Sequence, residues 1–328
     1  MSEPFRIAMI GAGARATGVH YPSFRDVRGA RIDSICELDP ERLYKAAEEY
    51  GVPPERRYGG DALAYQRMIE ETRPDAVACI GQPHLMYESW VWCLQKGLDL
   101  YIEKPMGLTL HQARSLRELA RRGRSVTTVA FQRRTTPVAA FLREKCLERG
   151  PIAHAGVRFY KCEPAETFGP RDHMMDDTVH AIDALRWMIG GEVERLESRA
   201  RRIGTQDINF ISATLHFEGG SAGFLVNSWS SGRRVFDAEM HAPGICAEVE
   251  HEVGGTLYAD GDTKGTYYSA AECAGSDAFH VKTGVYALAE DFVSRCKDRG
   301  ETLSSFESAY KTMEIAAMIL ARSALAGE

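Results

Sequence analysis

The sequence predicts an α/β chain: an N-terminal doubly wound parallel sheet over residues 1–131, then an α+β half, 132–328, built on a large, mostly antiparallel open sheet. Three observations predict it. Short apolar runs alternate with helical segments through the first 130 residues, which implies parallel strands covered on both faces. Period-two runs dominate after Phe131, the pattern of a sheet with one covered face. A glycine-rich turn joins the first apolar run to the first helical segment. At 328 residues the chain has the length of about two domains.

In the first half, strands are predicted at 6–10, 31–36, 76–80, 99–102 and 126–131, and helices at 17–24, 40–50, 61–72, 86–96 and 110–122. The last helix is punctuated at both ends. Thr109 and Gln112 suit a capping box, Arg121 and Arg122 suit the C-terminal dipole, and Gly123 suits a left-handed stop. Beyond Phe131, Thr136-Pro137 opens a helix to about residue 148, and Gly150-Pro151 breaks it. Strands follow at 152–161, 193–201, 208–217, 222–228, 235–241, 247–253 and 256–259, interrupted by a helix at 175–188. Ile211, Ala213, Leu215 and Phe217 alternate at period two, and Gly219-Gly220 makes a hairpin turn. Two helices close the chain; Val285, Leu288, Ala289, Phe292, Val293 and Cys296 stripe one face of the first.

Composition narrows the function. A formal net charge of −6 leaves no surplus of cations for a phosphate backbone, so bulk nucleic-acid binding is not expected. No apolar run approaches the roughly 20 residues of a membrane span. The run Ile7-Ala8-Met9-Ile10 is too short for a secretory signal. Eight cysteines include no Cys-x-x-Cys, which suits a reducing, cytoplasmic setting.

Two groups of residues carry chemistry. Gly11-Ala12-Gly13-Ala14-Arg15-Ala16 is a GxGxxA between a strand and a helix. Gly11 allows the tight turn, Gly13 lets the backbone approach a pyrophosphate, and Ala16 keeps helix and strand close. The second strand ends in Glu37, placed to accept ribose hydroxyls and to repel a 2′-phosphate, so NAD is favoured over NADP. Leu38 follows where an NADP site would suit an arginine, although the Arg15 cation is within reach of a phosphate. The fifth strand runs into Glu103-Lys104-Pro105, at the sheet edge where ligands of such folds bind. Lys104 is a candidate for proton transfer there. In the second half Asp176 and His180 lie one helical turn apart, with Asp183 on the same face. Alone, such a pair is more often a surface hydrogen bond than a catalytic dyad. A metal pair is discounted because no third ligand of matching spacing follows.

The GxGxxA, the Glu-Lys-Pro at 103 and the Asp-x-x-x-His at 176, in this order, resemble the glucose–fructose oxidoreductase / inositol dehydrogenase / MocA family. The resemblance covers nearly the whole chain. It implies an N-terminal Rossmann domain holding NAD(P) and an open sheet that serves as a homodimer or homotetramer face. It also implies hydride transfer between the nicotinamide and a hydroxyl or ketone of a sugar or cyclitol. By resemblance Lys104 and His180 move the proton, Asp176 positions the substrate, and Glu103 lies near the nicotinamide ribose. Phe131-Gln132-Arg133-Arg134 resembles a family run and makes Arg133 a candidate substrate contact, an ion pair being the alternative. Two departures stand out. Gln82-Pro83-His84 replaces the family's Thr-Pro-Asn beside the cofactor, with Tyr87 where a histidine is common, and Asp172-His173-Met174-Met175 replaces a glycine pair, which makes His173 a candidate pocket residue. The other readings are an enzyme that recycles NAD through transient oxidation and a silent sugar-sensing protein.

Overall fold

The structure is a computed structural model describing residues 3–163 and 172–325. Its contacts divide it into two compact units. The first holds 1–130, 279–281 and 285–310; the second holds 131–278, 282–284 and 311–328.

The first unit carries a six-stranded sheet in the order β3-β2-β1-β4-β5-β6, all pairs parallel. The strands are β1 (Phe5–Ile10), β2 (Ala30–Cys36), β3 (Arg57–Tyr58), β4 (Ala76–Cys79), β5 (Leu100–Ile102) and β6 (Thr127–Val129). Between them run α1 (Tyr21–Asp26), α2 (Pro40–Glu49), α3 (Ala64–Thr72), α4 (Pro83–Gln95) and α5 (Leu110–Gly123). The order reverses between β1 and β4, and ligands of open α/β sheets bind at that switch, outside the carboxyl ends of the strands.

Several predicted details change. The two-residue β3 is too short to read from pattern. α4 begins at Pro83 instead of 86, with proline's fixed φ at the first helical position. α3 begins at Ala64, because Asp61 turns its carboxylate onto the Leu63 N–H ahead of the helix. The α5 capping box is only half made. Thr109 Oγ1 accepts from the Gln112 N–H, but the Gln112 side chain accepts from Leu108 N at 2.7 Å. Gly123 does not supply the stop: it is the last helical residue, and Arg124 takes the left-handed conformation at φ +53°. A Cβ on Gly123 would stand 3.2 Å from the Leu94 carbonyl oxygen, so its smallness serves packing.

In the second unit an eight-stranded sheet runs β14-β13-β12-β11-β7-β10-β9-β8. Its strands are β7 (His154–Cys162), β8 (Val193–Arg201), β9 (Phe210–Phe217), β10 (Ala222–Ser228), β11 (Ser230–Ala242), β12 (Ile245–Glu250), β13 (Gly254–Ala259) and β14 (Thr266–Ser269). All pairs are antiparallel except β7 with β10. Gly219 and Gly220 both take positive φ in the β9–β10 hairpin, as the primed turns require. α6 (Pro137–Leu147) packs on β11 to β13, and α7 (Val179–Ile189) packs on β7 and β10. The alternation follows: Ile211, Ala213, Leu215 and Phe217 are buried, while Thr214 and His216 lie on the other face.

After β14 come α8 (Ala270–Ala274), α9 (Phe279–Lys282), α10 (Val285–Asp298) and α11 (Phe306–Leu325). The contact units meet at 130/131, and α10 returns to the first of them. Its predicted stripe is buried throughout. Leu288, Ala289, Phe292, Val293 and Cys296 share one core with Ile7, Met9, Phe24 and Tyr101.

Candidate functional site

In the first unit the glycine turn leaves β1 at its carboxyl end. Gly11 sits at φ +94°, and a Cβ there would stand 2.2 Å from the Ile80 carbonyl oxygen, so neither conformation nor space admits a side chain. Around Gly13 a Cβ would meet nothing within 4 Å, leaving the backbone open to a ligand. Helix begins at Ala14 and runs to Asp26 through a π-helical turn, Ala16–His20, and Ala16 is buried. Glu37 follows β2 immediately. Its Oε2 accepts the Ala12 N–H at 2.6 Å and its Oε1 accepts the Asp39 N–H at 3.0 Å. The carboxylate thus lies against the turn with lone pairs remaining for hydroxyls. Gln82, Pro83 and His84 open α4 just beyond β4; Gln82 and His84 are exposed and Pro83 is buried.

Glu103 and Lys104 follow β5. Glu103 is buried and saturated with donors: Oε1 accepts from His20 Nε2 at 2.6 Å and from Arg15 Nε at 2.9 Å, and Oε2 accepts the Lys104 N–H at 3.0 Å. Burial opposes the charge of Glu103, but the His20 hydrogen bond and the Arg15 and Lys104 cations hold its carboxyl well below the usual range. Burial lowers the pKa of His20 against the pull of Glu103. His20 is neutral and donates from Nε2, because Nδ1 is buried with no hydrogen-bond partner among the described residues and an imidazolium would strand a second N–H. The Arg15 cation of the sequence reading is therefore turned onto Glu103. His20, which sequence reasoning missed, lies under the same carboxylate. Lys104 is half-buried.

In the second unit Asp176 and His180 lie on one helical segment, α7 preceded by a π-helical turn, Met174–Thr178. Asp176 is half-buried, and buried His180 meets the Phe131 ring edge-on at 5.9 Å. Asp183 is fully buried and spoken for. Arg134 binds both its oxygens, and Thr312 Oγ1 donates to Oδ1 at 3.0 Å. Arg133 makes the ion pair that was one of its two readings, with Nη2 2.8 Å from Glu252 Oε1 and its guanidinium 4.5 Å over the Phe236 ring. His173 is buried and stacked on Trp229, ring centroids 4.2 Å apart. Burial lowers its pKa against the pull of Asp177.

Glu163, His173 and Asp177 bring ligand atoms within 4.8 Å of one another, the spacing of a cation site. The Lys161 ammonium already stands there, 2.7 Å from Asp177 Oδ2 and 3.2 Å from Glu163 Oε1. Among the described residues no helix is long and apolar enough to cross a membrane.

Comparison with known proteins agrees with this geometry. Residues 5–131 match the family described as "Oxidoreductase family, NAD-binding Rossmann fold", and residues 165–257 match the "GFO/IDH/MocA C-terminal domain". A D-glucoside 3-dehydrogenase of Escherichia coli is 26% identical over 62% of this chain and 60% of its own length. A myo-inositol 2-dehydrogenase of Thermotoga maritima is 26% identical over 68% of each. Among solved structures, a dehydrogenase from Chromobacterium violaceum superposes with a TM-score of 0.87 at 21% identity, over 99% of this chain and 97% of the other. A levoglucosan dehydrogenase in complex with NADH and L-sorbose superposes at 0.83 with 17% identity, over 99% and 98%. With both domains matched, the chain belongs to the Gfo/Idh/MocA family of oxidoreductases, and its first unit is that family's NAD-binding Rossmann fold.

Proposed function

We propose that the protein is an NAD-dependent dehydrogenase acting on a secondary hydroxyl of a sugar or cyclitol, with Lys104 and His180 moving the proton and Asp176 positioning the substrate. The observation that carries the reading is the Glu37 carboxylate lying against the glycine turn, beside a backbone open at Gly13. Those residues fit NAD: the turn takes the pyrophosphate and Glu37 the adenosine ribose. The names of the relatives, D-glucoside 3-dehydrogenase and myo-inositol 2-dehydrogenase, support a carbinol substrate.

Bound NAD⁺ supplies a hydride acceptor. The chain's own groups supply the rest. Half-buried Lys104 and buried His180 are a candidate acid–base set for the carbinol proton, and half-buried Asp176 can accept a hydrogen bond from a neighbouring hydroxyl. The Arg15–Glu103 ion pair fixes the backbone at Lys104, so its placement does not depend on the lysine side chain.

The test is incubation with NAD⁺ or NADP⁺ and a panel of sugars, cyclitols and glycosides, following nicotinamide reduction and products together. Stoichiometric NADH supports the reading. Product without net NADH marks a recycling enzyme instead, and ligand-dependent melting without turnover marks a sensor. On cofactor choice, Glu37→Ser is expected to weaken NAD⁺ binding about tenfold more than NADP⁺ binding, since the lost ribose hydrogen bonds serve only the unphosphorylated cofactor while the lost Ala12 and Asp39 bonds loosen the turn for both. Equal weakening of both, by fluorescence titration of the reduced cofactors, removes Glu37 from the ribose.

The uncovered face of the second sheet, with exposed Phe224 and the His154 and His241 rings stacked 4.2 Å apart, supports a homodimer or homotetramer through that face. Light scattering that returns the 36.4 kDa monomer mass at assay concentration overturns this.

A further inference from the structure

Asp176 and Asp177 are neighbours in sequence that differ in burial. Asp176 is half-buried, whereas Asp177 is buried and its Oδ2 takes two donors, Trp229 Nε1 at 2.8 Å and Lys161 Nζ at 2.7 Å. A buried carboxylate is tolerated only when so compensated. Lys161 is itself set between two carboxylates. Burial works against its charge, yet Asp177 and Glu163 outweigh burial and raise its pKa.

The turn these groups hold is unusual. Over Met174–Thr178 it is π-helical, and the Val179 N–H reaches back five residues to the Met174 carbonyl. Such widened turns are rare and appear often at functional sites, and neighbours must hold them against ordinary helix. The sheet beneath supplies the holding. Lys161 comes from β7, Asn227 from β10, and Trp229 directly follows β10. Asn227 Nδ2 donates to Thr178 Oγ1 at 3.1 Å, and that hydroxyl donates to the His173 carbonyl at 3.1 Å. The His173 ring then lies flat on Trp229.

We propose that Lys161, Asp177 and Trp229 are positioning residues that pin the π-helical turn to the sheet and thereby set where Asp176 and His180 stand. The Lys161 ammonium is the built-in cation of the Glu163–His173–Asp177 cluster and takes the place a metal ion would occupy. The inference rests on the functional reading above for the importance of Asp176 and His180. Its structural half stands by itself.

The experiment is hydrogen–deuterium exchange on the full chain combined with steady-state kinetics, for Lys161→Met, Trp229→Phe and Lys161→Arg. Trp229→Phe keeps an aromatic ring for His173 but removes the indole N–H and part of the buried ring volume. Lys161→Met and Trp229→Phe are expected to speed exchange over residues 174–180 about tenfold, with the Rossmann strands unchanged. They should lower kcat by about 10–100-fold while KM for NAD⁺ moves less than about twofold, as a small misplacement of reacting groups does. Lys161→Arg, which keeps charge and donors, should recover most of both. Unchanged exchange at 174–180 overturns the inference, as does a loosened turn with unchanged kcat. One zinc bound per wild-type chain on dialysis against zinc chloride overturns the assignment of Lys161 as the built-in cation. If Asp176→Ala and His180→Ala themselves leave turnover intact, the functional reading fails, whatever the exchange data show.

Discussion

Lys104→Ala is expected to cut turnover about a hundredfold or more while NADH still binds within about threefold of wild type, the pattern of a lost proton-transfer group. The backbone at this strand end is held by other groups. The Lys104 backbone N–H is held by Glu103 Oε2, and Glu103 is held in turn by His20 and Arg15 through Oε1. None of these bonds needs the lysine ammonium, so alanine leaves the strand end where it was. The glycine turn is likewise unaffected. Stopped-flow or steady-state NADH formation on the substrate found in the panel gives the rate, and fluorescence titration gives the binding. Near-normal turnover in the variant removes Lys104 from the chemistry, and parallel loss of NADH affinity makes it a cofactor contact instead.

Phe292→Ala is expected to be the most destabilising of these changes, by about 3–5 kcal/mol. Phe292 is fully buried on α10 and meets Tyr101 edge-on at 5.6 Å and Phe24 at 6.5 Å, while Phe24 and Tyr101 meet at 5.2 Å. Truncation leaves a ring-sized cavity among close-packed neighbours from α1 and β5, and removes two edge-to-face contacts besides. Against a typical total of roughly 5–15 kcal/mol the loss is severe. Scanning calorimetry should show the first unit's transition lowered by about 10 °C. A shift below about 2 °C means the site collapses around the smaller residue and the ring cluster adds little.

The glycine turn was legible because its information is local: Gly11, Gly13, Ala16 and Glu37 lie within one β-turn-helix-β unit, and each has a conformational or chemical reason for its type. The fate of Arg15 was not legible, because its partner Glu103 lies 88 residues away and is brought near only by the sheet order. His20 escaped for the same reason. In the second unit the helix around Asp176 was legible from apolar spacing, but its π-helical turn was not, since Met174, Met175, Val179 and Ile182 mark a buried face under either winding. Asp183 shows the limit of face arguments. It shares a helix with His180, yet Arg134 and Thr312 claim it. The elements missed outright were β3, β14, α8 and α9, each five residues or fewer and so too short for a repeating pattern to stand out.

The return of α10 to the first unit has a consequence for how the protein is made. The nascent first unit emerges with Phe24 of α1 and Tyr101 of β5 lacking their Phe292 neighbour, and the helix that supplies it is translated about 150 residues later, roughly 8–30 s at ordinary elongation rates. For that interval the ribosome carries a sticky, half-covered sheet. Chaperone occupancy during synthesis should therefore peak well after the dinucleotide motif has left the exit tunnel and fall once α10 has followed it.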